Sequence, residues 1–182
     1  MKIDVQHIPA EGVSLSYARP ADAFPVIKEM ISHGECRFSS PVAITLNARP
    51  EQEIISVKGE LTVTVQLDCG RCLEAFDRPL HRRFSLRFSR EIPADVHSDA
   101  AGDVELTAEQ IGLIFFQDET IDFTEAVQEQ LVLAVPYRAL CRDSCKGLCP
   151  HCGGNLNLHA CGCTDKAVDN PFAVLQQRSW PA

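Results

Sequence analysis

Nine cysteines are the residues of this chain best equipped for chemistry, and six of them crowd between Cys141 and Cys163. The run reads Cys141-Arg-Asp-Ser-Cys145-Lys-Gly-Leu-Cys149-Pro-His-Cys152-Gly, followed by Cys161-Gly-Cys163. In Cys149-Pro-His-Cys152-Gly, two thiolates three residues apart can face one ion. The proline fixes the turn, and the glycine lets backbone N–H groups approach the sulfurs. A structural zinc ion takes four such ligands in a tetrahedron. Cys149, Cys152, Cys161 and Cys163 form the favoured set, because Gly162 lets the sulfurs of the C-x-C pair converge. Cys141 and Cys145 could replace one pair or join the ligands, and all six cysteines could hold two zinc ions through bridging thiolates. His151 and His159 are spare donors. The plain alternative is a group of small buried cysteines without metal. A four-thiolate set leaves no open position for substrate, so the ion is expected to be structural and not catalytic.

A second pair, Cys69-Gly-Arg-Cys72, follows a long apolar-polar alternation directly. Three readings stand: a packing turn in a hairpin connection, extra metal ligands, or a redox pair of the thioredoxin type. The last needs a helix N-terminus to lower a thiol pKa, yet Phe76, Asp77, Arg78 and Pro79 lead into another strand. Cys36 stands alone and is expected to be packed.

Charge is uneven around this pair. The whole chain carries a formal charge of -8, which disfavours a generic nucleic-acid binder, since phosphate binding rests on Lys and Arg. Between Arg71 and Arg90, however, six arginines face two acids, and residues 91–129 then hold eleven acids with no Lys or Arg. Arg83 and Arg87 fall on one strand face, flanked by Arg82 and Arg90. With Arg71 they are candidate contacts to RNA or another partner, since arginine grips phosphate bidentately. Such a ribbon could equally complement the acidic stretch within the fold. No exposed aromatics interleave with it, so base stacking is not indicated.

The elements that must position these groups are mostly strands. Val42, Ile44 and Leu46 alternate with polar residues, and from Ile55 to Leu67 every second residue is apolar or glycine. A period of two sustained this long means strand with one dry face. Its length suggests a bend or bulge at Gly59. Phe84, Leu86 and Phe88 mark a further strand, and antiparallel pairing is the simplest topology. Ile3–His7 reads as a short strand, Asp22 as the cap of a helix over 23–32 stopped by Gly34, and 96–102 as a mobile loop. Two short strands are expected near 111–116 and 120–122. Asp122 with Glu125 resembles a capping box opening a helix over 123–134, whose face is Phe123, Val127 and Leu131 and which Pro136 ends. A last short helix carries Phe172 and Leu175.

The expected class is α+β: an antiparallel sheet, a C-terminal helix and a small zinc-knuckle segment. Residues 1–136 form the body, and 137–182 a cysteine-rich knuckle and helix packed on the same domain. The chain is long enough to build a core. No stretch reaches the roughly 18 apolar residues of a membrane span. An acid stands where a signal peptide would be apolar, so a cytoplasmic location is expected, where cysteines bind metal more often than they form disulfides.

The run from Gly59 through Cys69-Gly-Arg-Cys72 to Leu73, the run from Ile121 to Pro136, the cysteine cluster with Lys146-Gly-Leu-Cys149-Pro150 and Asn155-Leu-Asn157, and the closing Asn170-Pro-Phe-Ala-Val-Leu175 occur in one order. Together they resemble the YceD family, named for large ribosomal RNA subunit accumulation. What the resemblance implies is a bacterial, non-enzymatic factor for 23S ribosomal RNA accumulation and ribosome biogenesis; the arginine ribbon would offer such a factor a surface for ribosomal RNA, and the acidic stretch could instead hold a basic ribosomal protein. No catalytic residues are carried over from it, and neither a membrane nor a small-molecule substrate is expected. A C-x-C with a C-x-x-C also resembles the zinc switch of a redox-regulated heat-shock chaperone, which supplies the alternative of a redox-switched zinc protein with chaperone-like activity.

Overall fold

A computed structural model describes residues 1–90 and 112–163. The expected loop at 96–102 and the helix at Phe172–Leu175 lie outside them. The architecture is α+β. Its strands are β1 (Lys2–Asp4), β2 (Val13–Arg19), β3 (Arg37–Phe38), β4 (Val42–Glu51), β5 (Ile54–Asp68), β6 (Ala75–Ser89), β7 (Leu113–Phe115) and β8 (Thr120–Asp122). The helices are α1 (Pro25–Ser32) and α2 (Thr124–Ala134). One sheet runs β2-β4-β5-β6-β7, with β3 pairing on β5; a second, small sheet joins β1 to β8. All pairs are antiparallel except β6 with β7, which run parallel. Antiparallel pairing, expected for β4, β5 and β6 because they are close in sequence, holds for all three; β7 can run parallel to β6 because a long connection and not a hairpin joins them.

Alternation does what the sequence demands of it. Val42, Ile44, Leu46 and Ala48 of β4 are buried, as are Val57, Leu61, Val63 and Val65 of β5. Ile27 from α1 with its N-cap Phe24, and Val127 and Leu131 from α2 with its N-cap Phe123, pack into the same core as this apolar face. The expected bulge at Gly59 is absent: the β5–β6 register runs unbroken from Ile54↔Ser89 to Asp68↔Ala75, with Gly59 opposite Phe84. Glycine is there for the ring. A Cβ on residue 59 would stand 2.1 Å from Phe84 Cζ. Gly59→Ala should therefore lose about 1–3 kcal/mol through overpacking, and most of that loss should vanish when Phe84→Ala is added. Urea melts of the four-member cycle measure it, and simple additivity would refute the ring contact as the cause.

Three local readings are corrected. Strand β1 stops at Asp4, whose carboxylate accepts the Gln6 N–H at 2.9 Å and turns Val5–His7 into a short 3₁₀ helix. Asp22 lies in another such turn, Ala21–Ala23, and does not cap α1. That helix begins at Pro25, which needs no N–H there, and the next N–H, on Val26, is accepted by Gln128 Oε1 of α2 at 3.0 Å. Nor is there a capping box at α2: Asp122 Oδ1 accepts Thr124 N–H at 2.9 Å, and Phe123 is the N-cap. Gly34, at φ +75°, does end α1. Among the described residues, no helix is long and apolar enough to cross a membrane.

Candidate metal centres

The β5–β6 hairpin is closed by residues 69–74, and Cys69 and Cys72 sit in that turn. Its backbone is tightly specified: Cys69 N–H reaches Glu74 C=O at 2.9 Å and Leu73 N–H reaches Cys69 C=O at 2.9 Å. The cysteine-rich segment arrives from α2 and docks against it. Gly70 N–H donates to Ala139 C=O at 2.8 Å, and Leu148 N–H to Arg71 C=O at 3.0 Å. The Arg71 guanidinium completes the dock, reaching the carbonyls of Asp143 at 3.2 Å and Cys145 at 3.0 Å. Gly147, at φ +76°, allows the approach, because a Cβ there would lie 3.1 Å from the Arg71 carbonyl oxygen.

Docking produces an inner group of sulfurs. Cys69, Cys72, Cys141 and Cys145 place all four Sγ atoms within 4.8 Å of one another. Three of these residues are buried, and Phe76, Leu140 and Leu148 pack around them. An outer group forms within the segment itself. Cys149, Cys152, Cys161 and Cys163 also lie with all Sγ atoms within 4.8 Å, but Cys152 and Cys163 are exposed. Each group could hold a metal ion. Cys36 belongs to neither and is packed in the main core at 2% exposure.

The two C-x-x-C turns share one electrostatic device. Burial works against a charge on Cys69, but the backbone N–H groups of Cys141, Cys72 and Arg71 outweigh it and bring the thiol down to about 6. Cys149 is brought down to about 6 by the N–H groups of Cys152 and His151 and by its neighbour Cys161. In both turns the first sulfur thus receives N–H groups from two and three residues further on. Elsewhere the crowding acts the other way. Burial, then the neighbouring sulfurs of Cys69, Cys145 and Cys72, push Cys141 up to about 12. The Cys152 and Cys161 sulfurs, then burial, do the same for Cys163. A cation at the centre of either group would stabilise all four thiolates together.

Asn155-Leu-Asn157 ties its own segment to the inner group and to the hairpin turn. Asn157 Nδ2 donates to Cys145 Sγ at 3.4 Å and to Asn155 Oδ1 at 2.8 Å, while its Oδ1 accepts Lys146 N–H at 2.9 Å. Asn155 Nδ2 reaches Glu74 Oε1 at 3.3 Å, back on the hairpin turn. Sequence reasoning quoted these asparagines only as part of a motif and missed their role. It also kept Cys141 and Cys145 in reserve for the outer group, whereas the fold pairs them with Cys69 and Cys72. Counting would have exposed this: each is a cysteine pair lacking a second pair.

The arginines are differently employed from one another. Arg71 is taken up by the docked segment. Arg83 Nε lies 3.7 Å from Glu60 Oε2, a carboxylate that His81 also contacts. Arg90 donates to Asp118 C=O at 3.5 Å and lies 5.4 Å over the Phe116 ring. Arg87, half-buried, shares the strand face of Arg83, and Arg82 is exposed on the opposite face, across from Leu61.

A family model described as large ribosomal RNA subunit accumulation protein YceD matches residues 57–177. An uncharacterized protein of Mycobacterium tuberculosis is 27% identical over 110 residues, 60% of this chain and 49% of that protein. A chloroplastic large ribosomal RNA subunit accumulation protein YCED homolog 1 of Arabidopsis thaliana is 22% identical over 153 residues, 75% of this chain and 48% of that one. Its Zea mays counterpart is 23% identical over 149 residues, 71% and 50% of the respective chains. The chain spans about half the length of these curated relatives. No solved structure matches it.

Proposed function

The chain belongs to the YceD family of large ribosomal RNA subunit accumulation proteins, and from that premise we propose that it is a cytoplasmic, non-enzymatic factor supporting 23S ribosomal RNA accumulation. The observation that carries this reading is the family match itself, which takes in β5 from Val57 onward, the hairpin turn, β6, α2 and every cysteine of both groups. In this reading the outer group holds a structural zinc ion on Cys149, Cys152, Cys161 and Cys163. The zinc pins the cysteine-rich segment and performs no chemistry.

Contact with ribosomal RNA, or with a basic ribosomal protein, falls to the strand surface beyond the hairpin turn. Arg83 and Arg87 are its proposed contacts on one face of β6, and exposed Arg82 a proposed contact on the other; Arg71 and Arg90 also serve carbonyls and a ring within the fold. Depleting the chain in its native host should lower large-subunit ribosomal RNA relative to small-subunit RNA. Tagged chain should also retain ribosomal RNA or ribosomal proteins above a mock, and Arg82→Ala with Arg83→Ala should weaken that retention. An unchanged RNA ratio, with nothing ribosomal retained, would sink the proposal.

One observation favours a second reading. Cys152 and Cys163 are exposed, so peroxide could reach the outer group, be reduced to water and leave the released thiols as disulfides. A redox-switched, chaperone-like protein would then gain or lose holdase activity on peroxide treatment as zinc leaves. Activity that stays constant removes this reading.

A further inference from the structure

We propose that Cys69, Cys72, Cys141 and Cys145 hold a second zinc ion, a buried clamp between the β5–β6 hairpin and the cysteine-rich segment. Its footing is geometric and independent of the family reading. Cys69 Sγ lies 3.8 Å from Cys145 Sγ, and Cys72 Sγ lies 3.8 Å from Cys141 Sγ. Each contact joins one hairpin cysteine to one cysteine of the docked segment, as two opposite edges of a tetrahedron would. Zinc with four sulfurs at about 2.3 Å gives edges of about 3.8 Å. Disulfide sulfurs would be about 2.0 Å apart.

The surroundings suit four thiolates around a dication, a unit with net negative charge. Cys141 N–H donates to Cys69 Sγ at 3.4 Å, and the N–H groups of Arg71 and Cys72 face the same sulfur. Asn157 Nδ2 is spent on Cys145 Sγ at 3.4 Å. Hydrogen bonds to ionised acceptors are the strong ones, and such donors around the ligands orient them and tune the metal. Water is largely excluded, with Cys69 at 0% and Cys72 and Cys145 at 4% exposure. The soft, four-sulfur, tetrahedral donor set selects zinc among the common divalent ions. Arg71 holds the second coordination sphere together from outside, through the Cys145 carbonyl.

Metal analysis of the purified full chain tests this, with zinc counted per chain. Wild type should hold two zinc ions. Cys161→Ser, an outer-group variant, should hold one, and Cys72→Ser should hold one or, if the outer group depends on docking, fewer. Because Cys161→Ser leaves the inner group whole, the result stands even if Cys72→Ser does not fold. Cobalt loaded into Cys161→Ser should give the intense visible bands of a tetrahedral thiolate site. Wild type with one zinc that Cys161→Ser abolishes overturns the inner site, as does a metal-free wild type or iron in place of zinc. One zinc that survives Cys161→Ser supports the inner site and removes the outer one.

Discussion

Cys145→Ser should destabilise the chain by about 4 kcal/mol, the scale set by a cross-link that closes a long loop. The inner sulfurs join positions 69 to 76 residues apart in sequence. A clamp there removes far more freedom from the unfolded chain than one within the 149–163 turn, whose ends are near neighbours anyway. Serine at 145 also removes the thiolate acceptor of Asn157 and leaves its amide only Asn155 Oδ1 of the two acceptors it had. Urea unfolding of the purified chain measures the loss. Limited proteolysis reports its location: the cysteine-rich segment should become cleavable while the 1–90 sheet persists. Cys163→Ser, in the exposed group, should cost much less. Equal losses for the two variants would mean that the inner group carries no long-range clamp.

Phe123→Ala is expected to cost about 3–5 kcal/mol, or a fall in melting temperature on the order of 10 °C for a chain of this size. Phe123 is fully buried at 0% exposure and meets Phe88 edge to face, with ring centroids 5.5 Å apart and planes at 78°. It is the N-cap of α2 and the link between that helix and β6. Alanine empties the space and leaves the ring of Phe88 without its partner. Leu133→Ala, on the exposed side of the same helix, is the control and should shift the melt little. Similar shifts from both would contradict the packing of α2 described here.

Much of this was legible in the residues. Period-two alternation located β4 and β5 because burial on one face leaves no other way to arrange apolar side chains. The helical face of Phe123, Val127 and Leu131 was legible for the same reason. What failed was chemistry between distant segments. Gly59 looked like a bulge because only one strand was in view, and the answer lay in Phe84 across the ladder. Asp22 looked like a cap because Gln128, a hundred residues on, could not be seen to take Val26 N–H. Metal ligation was one reading of Cys69 and Cys72, and Cys141 and Cys145 were reserve ligands, but that the two pairs meet could not be seen: spacing reveals a local knuckle, whereas a group built from two remote pairs needs the fold. The arginine ribbon was legible as charge, yet the guanidinium groups of Arg71, Arg83 and Arg90, among others, turned out to have neighbours within the chain.

The distance in sequence between the two halves of the inner group has a consequence in time. A ribosome making this chain releases Cys69 and Cys72 first and cannot supply Cys141 and Cys145 until it has added the intervening residues. At about 5–20 residues per second, that interval is roughly 4–15 s. For those seconds the hairpin can form, but its two thiols stand without their partners, open to oxidants and to stray metal. Completion of the inner group then waits for the cysteine-rich segment, and until it arrives the two thiols of the β5–β6 turn gain from protection.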